Sequence, residues 1–303
     1  MISAITTIWD PIGWDAQRDH LVKLLDAGEL GDVTVVQVNG TASPAVLPDA
    51  RFSLLLGSPD AIEPYSIWNN KAIPKLAGDF VLHLNGDILP VPGSVPLMEA
   101  WLKANPSAAM IGGDYWFGEV GTAEKATPQC DEILTVMEAG LMLSQYGLFS
   151  KALWGVVKFE ESGPFATRGW GLEDNDLGCQ LRSLGATIWM IQDVMCAGVK
   201  QQMRYAHLGL GPGITDGVHG SGERMEKAGI DVKAARLARW AYCDKKWGGQ
   251  KLDGRPWDWE RADDYAGPGR YSLRAVVELS KPGGDAFECK LHPALTSEYL
   301  LEP

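Results

Sequence analysis

The sequence predicts an α/β protein with a mostly parallel central sheet flanked by helices. Two observations predict it. Short β-rich runs (Ile2 to Ile8, Val33 to Val38, Arg51 to Leu56, Phe80 to Leu84) alternate with segments of helical periodicity, the pattern that builds parallel sheets covered on both faces. Polar, glycine-bearing turns then stand at the ends of two of these runs, Asn39-Gly40 and Asn85-Gly86-Asp87. Ligands of such sheets bind at the carboxyl ends of strands.

Taken in order, Ile2 to Ile8 is a buried strand closed by Asp10-Pro11. Asp15 to Ala27 is a helix with Leu21, Leu24 and Leu25 on one face, ended by Gly28. Tyr65 to Leu76 turns Ala72, Ile73 and Leu76 inward, and Pro74 limits it. Val95 to Leu102 is a helix stopped by Asn105-Pro106, and Ala108 to Ile111 follows as a strand. Ile133 to Ser150 mixes apolar residues with glycines, and a helix through Met142 is the expectation. Leu177, Leu181 and Leu184 fall at helical spacing before Gly185, and Ala186 to Ile191 is a strand. His207 to Gly222 is a long glycine-rich segment. Glu223 to Lys246 is a helix with Ile230, Ala234, Leu237 and Trp240 in register, ended by Trp247-Gly248-Gly249. Residues 250–303 form an extension rich in Pro, Gly and Trp with one strand, Leu273 to Leu279.

The totals narrow the function. The chain has 303 residues, 46% hydrophobic and 22% charged, which is ordinary for a globular protein. A formal charge of −12 argues against non-specific binding to nucleic acid or an anionic membrane. A phosphate-bearing ligand would need a basic pocket, a helix N-terminus or a metal. The five cysteines include no CxxC pair, so free thiols in a reducing compartment are expected. Met1 to Pro11 has no basic n-region and no run reaches ~20 apolar residues, so the expected location is the cytoplasm.

Three places carry candidate chemistry. Asp87 stands just beyond a buried strand with Gly86 before it; a tight turn and a hard-oxygen site for Mg²⁺ or Mn²⁺ are both open. In Gly169-Trp170-Gly171-Leu172-Glu173-Asp174-Asn175-Asp176, three carboxylates occupy a first helical turn. The helix dipole favours them there, but two glycines flanking a tryptophan suggest close approach by a ligand, toward which a carboxylate could act as general base. Of the histidines, His83 alternates with apolar neighbours and is structural, while His207 and His219 lie in the glycine-rich segment; His219 is the better candidate metal ligand. No Gx4GK[ST] loop, no GxGxxG after the first strand and no GxSxG elbow occurs.

Together these stretches resemble GT-A-fold glycosyltransferases, in particular family 2 and the galactosyltransferase C-terminal region. Asn70-Lys71-Ala72, then Gly78-Asp79-Phe80, then Asn85-Gly86-Asp87 follow the family's pattern around its DxD motif, and Gly169 to Asp176 matches its GWGxEDxD motif. The resemblance covers about residues 1–250 and implies a transferase domain over 1–249 (1–115 for nucleotide-sugar and metal, 116–249 for the acceptor) with 250–303 as an extension. It implies a nucleotide-sugar donor, usually a UDP-sugar, and a divalent metal, Mn²⁺ or Mg²⁺. Asp87 and His219 map to the metal, and Asn39, Asn70, Asn85 and Trp170 to the donor side. Glu173 and Asp174 map to the acceptor side, one as base, with Asp174 favoured. Asn85 and Asn39 depart from the acidic residues usual at their positions. The expected activity is an inverting transfer of a sugar to an acceptor hydroxyl, without a membrane span. Three competitors remain: a phage-type enzyme glycosylating hydroxymethylated DNA, which a basic face of Lys200, Arg204, Lys245 and Lys246 would favour; a non-catalytic sugar-binding scaffold; and a nucleotidyltransferase, which would carry a basic glycine-rich loop where Ile8-Trp9-Asp10-Pro11 stands.

Overall fold

Strict alternation along the first strands gives the sheet two apolar faces. In the computed structural model, β1 (Ile2–Ile8) sends Ala4 and Ile8 to one core cluster and Ile5 to the other. β2 (Asp32–Gln37) divides Val33 and Val35 from Val36, and β4 (Phe80–Asn85) divides Leu82 and Leu84 from Val81. The first face is covered by α1 (Trp14–Asp26), through Leu21 and Leu24, and by α3 (Ser94–Ala104), through Met98 and Trp101. The second is covered by α2 (Tyr65–Ala72), through Ala72, and by α4 (Glu173–Ser183), through Leu177 and Leu181. The structure describes residues 1–9, 11, 14–40, 42–58, 64–86, 90, 93–106, 108–113, 133–139, 146–167, 171–192, 226, 229–247, 251–252, 255–256, 276–280 and 289–291.

The remaining strands are β3 (Phe52–Leu56), β5 (Ala108–Gly113), β6 (Ile133–Ala139), β7 (Tyr146–Ser150), β8 (Thr187–Gln192), the two-residue β9 (Lys251–Leu252) and β10 (Arg255–Pro256), β11 (Val276–Ser280) and β12 (Cys289–Leu291). One ten-stranded sheet runs in the order β12-β11-β6-β8-β5-β7-β4-β1-β2-β3, and β9 pairs only with β10. Strands β3, β2, β1 and β4 are parallel neighbours, and β5 is parallel to β8. β6, β7 and β12 run against the rest. The expected mostly parallel sheet flanked by helices is present.

Two expectations are corrected. Residues 133–139 and 146–150 are not helical: they form β6 and β7, because β6 is paired by β8 and β11 and β7 fills the space between β4 and β5, while Met142 lies outside the described residues. Tertiary pairing overrides local pattern there. The second concerns α5 (Val232–Trp247), which buries Arg239, Cys243 and Trp247 and leaves Leu237 62% exposed, so its inward face is not the one the apolar register indicated. Leu184 likewise lies beyond α4 and is exposed.

Candidate active site

Helices α1, α2, α3 and α4 each lead into a strand of common direction, β2, β4, β5 and β8 respectively. Each therefore begins on the carboxyl side of the sheet. The positive ends of these helices therefore lie on that side of the sheet, a polarity that favours anions there even on a chain of net charge −12. Asn39 and Asn85 both stand on this rim. Asn85 ends β4 opposite Thr7, and Asn39 follows β2, its amide donating to the Trp9 carbonyl at 3.0 Å, with β1 between the two strands.

Two buried glutamines shape that rim. Gln37 donates to the carbonyls of Asn39 and Ser43, both at 3.1 Å, and accepts the Ala45 amide at 2.8 Å, knotting the loop after β2. Gln17 accepts the Thr6 hydroxyl at 2.9 Å and donates to the Asn85 carbonyl at 2.8 Å. The adjoining loops pass so close that a Cβ on Gly40 would lie 2.0 Å from the Gly57 carbonyl oxygen.

Below the rim, α2 carries a polar network onto β4. Asn69 Nδ2 donates to the Tyr65 carbonyl at 3.0 Å, which orients its amide. Its Oδ1 then receives the Thr7 hydroxyl at 3.2 Å and faces His83 Nε2 at 3.1 Å. An amide oxygen only accepts, so Nε2 carries the hydrogen, and it also lies 3.0 Å from the Tyr65 hydroxyl. The expectation that His83 is structural holds. Tyr65 is raised well above the ordinary phenol range, by burial first and then by the negative field of Glu173 and Asp174. Asn70 uses both amide hydrogens inside the protein, on the Phe159 carbonyl and Glu161 Oε1, each at 2.8 Å, and accepts the Phe159 amide at 3.0 Å. In this arrangement it straps residues 159–161 to α2.

The three carboxylates at the start of α4 have unequal surroundings. Glu173, 6% exposed, is paired with the fully buried Arg239 of α5. Asp176, fully buried, accepts Lys246 Nζ at 2.8 Å and Trp247 Nε1 at 2.7 Å on one oxygen and Gln180 Nε2 at 2.8 Å on the other. Asp174 is half-buried, and its Oδ1 accepts the Asn175 amide at 3.1 Å. It lies one turn before Leu177 and two before Leu181, the side chains that face the sheet, and so tops the sheet-facing stripe. Lys246 also donates to Glu160 at 2.7 Å, so it is committed inward and does not contribute to a basic nucleic-acid face. Burial pushes Glu160 up, but Lys246 and Ser162 outweigh it and bring its pKa to about 2. Burial and the nearby Asp176 push the Cys243 thiol up to about 12, and Cys179 is also buried.

No protein-family model and no curated protein matches the chain. Among solved structures, it is similar to the mannosyltransferase PcManGT from Pyrobaculum calidifontis in complex with GDP-Man and Mn²⁺, at 13% identity over 64% of this chain and 55% of that one, TM-score 0.42. It is similar to a mycobacterial protein at 17% identity over 63% of this chain and 64% of that one, TM-score 0.40. It is also similar to residues 1–349 of S. aureus TarS, at 14% identity over 63% of this chain and 58% of that one, TM-score 0.40. The chain thus spans less than two thirds of each. Likenesses this distant do not assign an activity.

Of the residues singled out in the sequence, Asn39, Asn70, Asn85, Glu173 and Asp174 are placed as above; Asp87, Trp170 and His219 lie outside the described residues, as do His207, Lys200 and Arg204. No group of three or more His, Cys, Asp or Glu arranged so as to hold a metal ion occurs among the described residues. Pattern alone passed over Gln17, Gln37, Tyr65 and Arg239. Gln17 had a signal, as a polar residue on the Leu21–Leu24 stripe. So had Arg239, four residues before Cys243 and eight before Trp247.

Proposed function

We propose that this protein is a glycosyltransferase that moves a sugar from a nucleotide diphosphate donor, a UDP-sugar by preference, to an acceptor hydroxyl with inversion. The observation that carries the proposal is the place of Asp174: it is half-buried in the first turn of α4, one turn before the sheet-facing Leu177 and on the carboxyl side of the parallel strands. In this proposal Asp174 takes the proton from the acceptor hydroxyl. That oxygen bonds to the anomeric carbon, and the bond from that carbon to the diphosphate breaks with its electron pair leaving on the phosphate. Glu173, bound to Arg239, holds the helix start. Asn39 and Asn85 line the donor side, with Trp170 as a wall for a sugar ring.

In this proposal Asp87 and His219 would supply a carboxylate and an imidazole to a divalent ion, Mn²⁺ in preference to the all-oxygen Mg²⁺. Such an ion would neutralise charge on the leaving diphosphate. The helix ends at the carboxyl edge favour the same anion without it.

The test is a screen of UDP- and GDP-sugars with Mn²⁺ or Mg²⁺, following nucleotide release with and without candidate acceptors, and calorimetric titration of nucleotide diphosphate with Mn²⁺. Asp87→Ala is expected to lose metal-dependent nucleotide binding. Asp174→Asn is expected to keep it and to lose transfer by a factor of about 10²–10⁴, the usual range for a general base. Normal turnover in Asp174→Asn would refute the base assignment.

A further inference from the structure

One fully buried guanidinium gathers everything that precedes α4. Arg239 Nε donates to the Pro164 carbonyl at 3.3 Å, Nη2 to the Thr167 carbonyl at 3.2 Å, and Nη1 to the Gly171 carbonyl at 3.3 Å and to Glu173 Oε1. Its plane also lies 5.0 Å from the Phe165 ring centroid. The segment it holds is strained. Gly171 has φ 105° and Leu172 has φ 69°, the one non-glycine residue with positive φ among the described residues. A buried, branched-at-γ side chain in the left-handed region is strained and persists only where its surroundings impose it. Directly after it, the Leu172 carbonyl accepts the Asp176 amide at 3.0 Å, starting the helix. Asp174 lies inside that first turn.

We infer that Arg239 is a positioning residue: by holding the Gly171–Leu172 turn and Glu173 together, it sets where α4 begins and therefore where Asp174 stands at the sheet edge. A Coulombic partner for Glu173 needs only a point charge. The planar fork, with donors to three carbonyls besides, is what a lysine cannot supply. The meaning given to Asp174 rests on the transferase proposal; the control of the turn does not.

The discriminating variant is therefore Arg239→Lys, which keeps a cation for Glu173 and removes the fork. Amide hydrogen exchange of Asp176 is expected to accelerate about tenfold or more, the factor one hydrogen bond from a charged donor is worth. Where transfer is observed, kcat is expected to fall by about 100-fold, as for a misplacement on the ångström scale, with KM for the donor unchanged. Should Arg239→Lys fail to fold, Arg239→Met combined with Glu173→Met removes both charges, a replacement that buried pairs commonly tolerate. Its Asp176 exchange, compared at equal global stability, decides the same point. Wild-type exchange at Asp176 in the variant that folds would overturn the inference, and so would unchanged kcat in an active Arg239→Lys. A wild-type protein that transfers nothing, but whose Asp176 amide is deprotected in the variant, would refute the transferase proposal and leave the positioning role standing.

Discussion

Asn70 shows, at the level of a single side chain, how far partners lie from the stretch around them. The resemblance mapped it to the donor side, and in the structure its amide donates to Phe159 and Glu161 and accepts the Phe159 amide. Those partners are about ninety positions away, so periodicity around Asn70 carried no trace of them. The same holds for Arg239 and Glu173, whose pairing spans 66 positions. Gln17 was legible in principle, because a glutamine on a leucine stripe must find polar partners when buried. Replacing Asn70 by alanine is expected to cost about 1–3 kcal/mol, since it leaves the Phe159 amide and carbonyl unpaired. Urea titration of the purified variant checks this, and a midpoint equal to the wild type would show that the strap contributes nothing.

Among elements, the clasp of α5 on α4 decides the electrostatics of the candidate site. Arg239 holds Glu173, Lys246 and Trp247 hold Asp176, and Lys246 with Tyr242 also holds Glu160, which precedes α4. The first strands were legible because short, near-continuous runs of apolar and β-branched residues are what a strand buried on both faces requires. The inward face of α5 was not, because cations paired with buried carboxylates occupy positions that apolar periodicity reads as solvent. The clasp should depend on pH in a definite sense. Glu160 has a folded pKa of about 2 against 4.5 in the unfolded chain, so its contribution is fully present above 4.5 and is lost as pH falls toward 2. Lys246 is raised above its ordinary 10.5, burial opposing and Asp176 and Glu160 outweighing it. Its contribution is therefore present below 10.5 and lost as pH rises through the folded value. Thermal melting of wild type and Glu160→Gln across this acid window checks the first of these: the variant should lose less stability on acidification than the wild type. Parallel curves would show that Glu160 does not couple the clasp to pH.

For the molecule as a whole, the C-terminal extension completes the sheet. β11 pairs with β6 from Val276↔Met137 to Ser280↔Ile133, and β12 pairs with β11. β6 joins segments far apart in the chain, taking β8 on one side and β11 on the other. That long-range closure explains why its own stretch did not announce a strand. A chain ending at Gly249 would lack β11 and β12 and leave β6 as the edge of the remaining eight strands, its β11 side with unpaired amides and carbonyls. Unprotected edges of this kind pair with other chains. The truncated protein is therefore expected to unfold at lower urea and to form concentration-dependent oligomers beyond those of the full chain, as read by sedimentation velocity at two loadings. A truncated chain with the same sedimentation profile and urea midpoint would mean that β6 holds its place through β8 alone, and that residues 250–303 contribute to the protein in some way other than completing its sheet.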